Sequence, residues 1–184
     1  AVRAEAKKGT NGRFGAGLPA TGDMQLLFMQ HAIARMNRKN GRAAIISNGS
    51  PMFSGNTTSG ESQIRRFMLD KDLIEAIIAL PSQLFYNTDI GIYAFILSKN
   101  KRKERVNKIQ LINAVDMWEP LKRSLGKKRR EISKDQIDLI TEVYAAFAPG
   151  SKTLYSEKRK NDCKIECRIF DREEFLYKEW AVYQ

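Results

Sequence analysis

Cysteine and histidine are nearly missing from this chain of 184 residues, which holds Cys163, Cys167 and a single histidine, His31. Two thiols four apart, with the lone imidazole far off in sequence, fall short of the ligand set of a zinc site, so no metal centre is expected. In a cytosolic chain such cysteines read as free thiols rather than as a disulfide. The five prolines, at positions 19, 51, 81, 120 and 149, are never adjacent. No apolar run approaches the roughly 18 residues that span a bilayer. The first residues lack the apolar core of a signal peptide, and a cytoplasmic protein without membrane contact is expected. Acidic residues are also in deficit: 21 Asp and Glu against 32 Lys and Arg leave a net charge of +11.

The positive excess is clustered in Lys99 to Lys108, "KNKRKERVNK", and Lys122 to Glu131, "KRSLGKKRRE". Such runs suit a phosphate backbone, because each phosphate neutralised releases counterions. Solvated loops are the plain alternative. "GRFGAGLPA" raises a different possibility, since Gly15, Gly17 and Ala20 spell G-x-G-x-x-A. That fingerprint cradles a nucleotide only where a buried strand turns sharply into a helix. No Val, Ile or Leu run precedes it, and Leu18-Pro19 follows it directly. The stretch reads as a surface loop.

Hydrophobic spacing supplies the elements. Thr21 and Asp23 are candidate caps for the helix "MQLLFMQHAIARMNRK", ending at Asn40-Gly41. "RAAIIS" reads as a short strand, and Ser59 marks the start of the helix "ESQIRRFMLDK". "LIEAIIAL", stopped by Pro81, reads as a buried strand; "IGIYAFILSKN" and "KIQLINA" are two more. The last two are expected to form a hairpin across the basic turn at 99–108. "SKDQIDLITEVYAAF" has helical spacing up to Pro149-Gly150, and "KTLYSEKRKNDCK" reads as exposed. Strands alternating with helices indicate a layered α/β fold. His31, with no evident carboxylate or second histidine beside it in sequence, reads as structural.

The blocks "GDMQLLFMQHAI", "NGSPMFSG", "SGESQIRRFMLDKDLIEAIIALP", "LFYNTDIGIYAFILSK", "GKKRREIS" and "FDREEFLYKEWAV" resemble, in order, the modification subunit of type I restriction-modification systems. That family consists of adenine-specific DNA methyltransferases using S-adenosylmethionine. The resemblance implies part of a Rossmann-like methyltransferase sheet with flanking helices over 1–120, the C-terminal half of that domain. It implies a C-terminal helical tail for subunit assembly over 121–184. It also implies double-stranded DNA and the specificity and restriction subunits as partners. The family's F-x-G-x-G cofactor loop and Asn-Pro-Pro-Phe/Tyr tetrapeptide both lie upstream of the matched helix. With no adjacent prolines the tetrapeptide is absent, and Phe14 to Gly17 falls on the wrong side of it to be the cofactor loop. The chain therefore resembles a fragment, without activity alone and not expected to bind S-adenosylmethionine by itself.

By the same resemblance Phe85, with Tyr86 beside it, matches the aromatic that stacks on the flipped target adenine; a core role is the alternative. Phe28 would lie near the adenine of the cofactor, against the plainer reading of a core aromatic in an amphipathic helix. Arg102, Lys103, Arg105, Lys127, Lys128, Arg129 and Arg130 are the candidates for DNA backbone contact, with another subunit or water as alternatives. Phe175, Tyr177, Trp180 and Tyr183 resemble a partner-binding edge. A non-catalytic basic module, or a nucleotide-binding protein using Gly15 and Gly17, are the competing readings.

Overall fold

The computed structural model describes Ala4 and residues 7–176. Tyr177, Trp180 and Tyr183 lie outside the described residues. The helices are α1 (Gln25–Arg35), the single turn α2 (Ser50–Phe53), α3 (Gly60–Asp70) and α4 (Lys134–Ala146). The strands are β1 (Arg42–Ser47), β2 (Ile74–Leu80), β3 (Ile92–Ser98), β4 (Lys108–Asn113), β5 (Glu119–Leu125), β6 (Lys128–Glu131), β7 (Gly150–Ser156) and β8 (Asn161–Asp171).

Six strands form one mixed sheet in the order β1-β3-β2-β4-β8-β7, and β5 and β6 form a separate two-stranded hairpin. Alternation sends Phe95 and Leu97 of β3 to one face, where they pack with Leu26, Met29 and Ile33 of α1 and Ile64 and Met68 of α3. Ala94 of the same strand faces the other side, with Ile140 and Val143 of α4. Helices thus cover both faces, which is the layered architecture that the alternation of elements anticipates. Among the described residues β1 pairs only with β3, and Ile46 on it is half exposed.

Local chemistry explains the helix ends. The Ser59 hydroxyl accepts from the Ser62 amide at the start of α3. Ser133 and Gln136 form a reciprocal capping box at α4. Asp23 accepts from the Gln25 amide at 3.1 Å, but α1 stops at Arg35, before the expected Asn40-Gly41.

Two expectations are corrected. β3 and β4 do not form a hairpin; they flank β2, antiparallel and parallel to it respectively. β2 is buried on both faces, so it takes the central place, and the chain crosses its start between β3 and β4. Asp72 organises that crossing, accepting from Lys101 Nζ at 2.5 Å and the Asn107 amide at 2.8 Å. The second correction concerns the region after 121, where "KTLYSEKRKNDCK", exposed over most of its length as expected, lies within the β7–β8 hairpin. The region after 121, expected to be helical, contains α4 but also two strands of the main sheet. The reason is visible in β8, where Cys163, Ile165 and Cys167 alternate inward and are buried; the cysteines act as small apolar residues in a strand that pairs with β4.

Candidate nucleic-acid interface

β2 and β4 are parallel, and their carboxyl ends, Leu80 and Asn113, lie at the same edge of the sheet. Ligand crevices of open α/β sheets form outside such ends. Each strand there leads into an unusual segment. After β2, Pro81 is buried and the chain makes a tight turn closed by a bridge between Phe85 and Thr88. Phe85 is 42% exposed and Tyr86 71%, so neither ring belongs to the core. After β4 comes the β5–β6 hairpin, with Lys122, Arg123, Lys127 and Arg129 exposed on it.

The hairpin touches the turn through its backbone. The Lys127 amide donates to the Tyr86 carbonyl at 2.8 Å, and the Arg129 and Arg130 amides both donate to the Gln83 carbonyl, at 3.1 and 3.2 Å. Lys127 Nζ stands 3.5 Å from Asp89. At its base the hairpin is fixed to the body. The Trp118 ring lies between two guanidiniums, with Arg130 at 3.9 Å and Arg159 at 4.1 Å. Arg159 also pairs with Asp116 at 2.7 Å. Buried Glu119 accepts from Gln136 and from Ser156, at 3.2 and 2.7 Å.

The sequence-derived residues separate into groups. Phe85, Tyr86, Lys127, Lys128, Arg129 and Arg130 come together at this edge, although Lys128 and Arg130 are half-buried and the head of Arg130 is engaged by Trp118. Phe28, at 66% exposure, is outside the core; its helix is tied to the same edge, since the Gln25 carboxamide pairs with both the amide and the side chain of Asn48, just past β1. Arg102 and Lys103 are exposed but lie in the crossing near the start of β2, at the opposite edge. Arg105 is corrected outright. It is 3% exposed, donates to Gln110 at 2.9 Å, lies 3.8 Å from Glu75 and stacks on Tyr144 and Phe147. Buried Glu75 is paired by Arg42 at 2.9 Å as well as by Arg105, and with its head held among these groups Arg105 serves the core rather than DNA. Lys122 and Arg123 went unnamed as candidates, though the same basic run contains them.

The glycine loop does not fit a methyl donor. Its amides are used internally, Gly15 donating to the Gly12 carbonyl and Gly17 to the Phe14 carbonyl. A side chain at Gly17 would meet the Gly60 carbonyl at 2.8 Å, so this glycine serves packing on α3. The loop borders a hollow of 540 Å³ lined by Arg13, Arg38, Lys71 and Lys99 and by no Asp or Glu. S-adenosylmethionine carries a sulfonium and an ammonium group against a single carboxylate, a net positive charge that four cations with no acidic residue among them repel.

A family model described as N-6 DNA Methylase matches residues 3–175. The chain belongs to that family. It is 35% identical over 133 residues to the type I restriction enzyme MjaVIII methylase subunit of Methanocaldococcus jannaschii, and 38% identical over 133 residues to the MjaVII methylase subunit of that organism. In both cases 70% of this chain is aligned but only 22% of the relative, so the chain spans about a fifth of their length. Its fold is shared with the crystal structure of the type I restriction-modification methyltransferase subunit from Streptococcus thermophilus. There the TM-score is 0.65 and the identity 23%, covering 83% of this chain and 27% of the other. Among the described residues no helix is long and apolar enough to cross a membrane, and no three His, Cys, Asp or Glu residues are grouped to hold a metal.

Proposed function

We propose that this chain forms the target-base side of an adenine-specific DNA methyltransferase of the type I modification subunit kind, acting in the cytoplasm. The carrying observation is the pairing, at the carboxyl ends of β2 and β4, of an exposed aromatic turn with a basic hairpin. In this reading Phe85, flanked by Tyr86, stacks on an adenine turned out of the duplex, and Lys127 and Arg129 hold the phosphate backbone beside it. Extruding a base costs a few kcal/mol, which stacking on an aromatic ring offsets by about 1–3 kcal/mol. The methyl donor, S-adenosylmethionine, binds in the part of the family's domain that this chain does not span; Phe28 borders that site. The chain alone therefore transfers no methyl group. Arg102 and Lys103, at the far edge, face the specificity or restriction subunit, and the segment after 121 takes part in that assembly.

The test uses a duplex with one unpaired position occupied by 2-aminopurine, whose fluorescence falls on stacking. Wild type should quench the probe in a salt-sensitive complex, and Phe85→Ala should lose the quenching and weaken binding by about 1–3 kcal/mol. Equal binding of fully paired and unpaired duplexes, unaffected by Phe85→Ala, would favour the competing reading, a basic module that never presents a base.

A further inference from the structure

The hairpin meets the aromatic turn through main chain, at a spacing that one residue controls. Gly126 has φ +59°, and a Cβ built there would meet the Tyr86 carbonyl oxygen at 2.6 Å. A side chain at 126 is therefore excluded twice, by the left-handed backbone and by the approach of the turn. With Gly126 in place, the amides of Lys127, Arg129 and Arg130 donate to the carbonyls of Tyr86 and Gln83. Gln83 itself has φ +62°, an uncommon conformation for a side-chain-bearing residue, which those two amides hold. Arg130 adds a contact at 3.4 Å to the Ser82 hydroxyl. Among the described residues the turn's own closure is the Phe85–Thr88 bridge and a 3.4 Å contact from the Ile90 amide to the Thr88 hydroxyl. So the rings of Phe85 and Tyr86 stand on a turn whose outer support is the hairpin, and the hairpin's base is locked by Trp118 and Glu119.

We propose that the β5–β6 hairpin is the positioning element of the Phe85–Thr88 turn, with Gly126 as its fulcrum. The same ribbon that carries Lys127 and Arg129 then sets where the two rings stand. Phosphate contact and base stacking are thereby mechanically linked: DNA drawn onto the ribbon is drawn onto the rings in a fixed register. The residues involved act through the turn and not on the base, so Gly126 is a positioning residue. This inference rests on the turn being the base-stacking element proposed above.

Hydrogen exchange on the 184-residue chain tests it, comparing wild type, Gly126→Val and the double variant Lys127→Ala/Arg129→Ala. Gly126→Val should speed exchange of the 127, 129 and 130 amides and of the 83–90 segment by about tenfold or more, with β2, β3 and β4 unchanged. The double charge variant should change those rates little, because the hydrogen bonds are backbone and the one side-chain contact it removes, Lys127 to Asp89 at 3.5 Å, joins two exposed groups. If Gly126→Val leaves the 83–90 segment at its wild-type rate, the hairpin does not hold the turn and the proposal is overturned, even where the chain binds DNA well. A second reading uses the 2-aminopurine duplex. Gly126→Val should lose quenching as Phe85→Ala does while keeping the salt slope of wild type; retained quenching would also overturn the proposal. Faster exchange in Gly126→Val combined with no effect of Phe85→Ala on quenching would sink the base-stacking reading instead and leave the positioning of the turn standing.

Discussion

Arg105 and Glu61 show how single residues carry the local argument. Arg105→Ala leaves Gln110 Oε1 and the Tyr144 carbonyl without their buried donor, while Glu75 keeps its closer partner Arg42 at 2.9 Å. It should therefore lower stability by roughly 1–3 kcal/mol in urea unfolding, while DNA affinity measured on the folded fraction stays unchanged. Loss of DNA affinity without loss of stability would contradict its core role. Glu61 accepts from the Ala20 amide at 2.6 Å, and this bond, ahead of its contacts with its own amide and Ser59, holds its carboxyl below the usual range. Its proton thus binds more tightly in the unfolded chain. The stabilisation is complete above the unfolded value of about 4.3 and is lost as pH falls through the lower folded value. Protection of residues 12–20 from hydrogen exchange, taken relative to the intrinsic rate at each pH, should therefore fall on acidification below about pH 4, and Glu61→Gln should show the low protection already at neutral pH. Part of the signal for Arg105 was in the sequence: Glu75 is the one charge inside "LIEAIIAL", and a carboxylate buried there calls for cations. Arg42 at 2.9 Å and Arg105 at 3.8 Å supply them, Arg105 from within a basic run whose neighbours face solvent.

Elements with strong periodicity or caps were legible. β2 with its terminating Pro81, α3 with its Ser59 cap and α4 with its capping box follow directly from local chemistry. β7 and β8 were not, for opposite reasons. β7 is an outer strand whose first four residues, Gly150 to Thr153, are all exposed, so it has little apolar alternation to read. β8 has the alternation, but two of its three inward positions are cysteines, which invite a reading as thiols. Counting Cys163, Ile165 and Cys167 as one apolar stripe gives the strand at once. Burial raises the Cys163 thiol above its ordinary value, so Cys163 should resist alkylation by iodoacetamide in the native chain and react on denaturation; rapid native labelling would show that this end of β8 is not packed against α4. The placement of β3 and β4 on either side of β2 was beyond sequence reach, because adjacency in the chain favours a hairpin and only the burial of β2 on both faces decides otherwise. At the candidate site the aromatic turn was legible, but its support by the hairpin depends on the close approach at Gly126, which no spacing announces.

At the scale of the whole molecule, the two basic runs lie at opposite edges of the sheet. If the hairpin edge takes the duplex, Lys127→Ala/Arg129→Ala should reduce the slope of log K against log salt by nearly two, since each phosphate contact contributes about 0.9. Arg102→Ala/Lys103→Ala should leave that slope unchanged; the reverse pattern would place DNA at the other edge. The outer edge of β1 has a different consequence. Among the described residues strand "RAAIIS" offers an unpaired row of amides and carbonyls beside a half-exposed Ile46, with Arg42 as its only charge. Such an edge is a template for any strand of compatible length, and a second copy of the chain brings one. Sedimentation velocity at rising concentration should show self-association that Ile46→Lys suppresses. The strand that begins the sheet is thus also where the molecule is adhesive, and what it is kept from touching will govern its solubility.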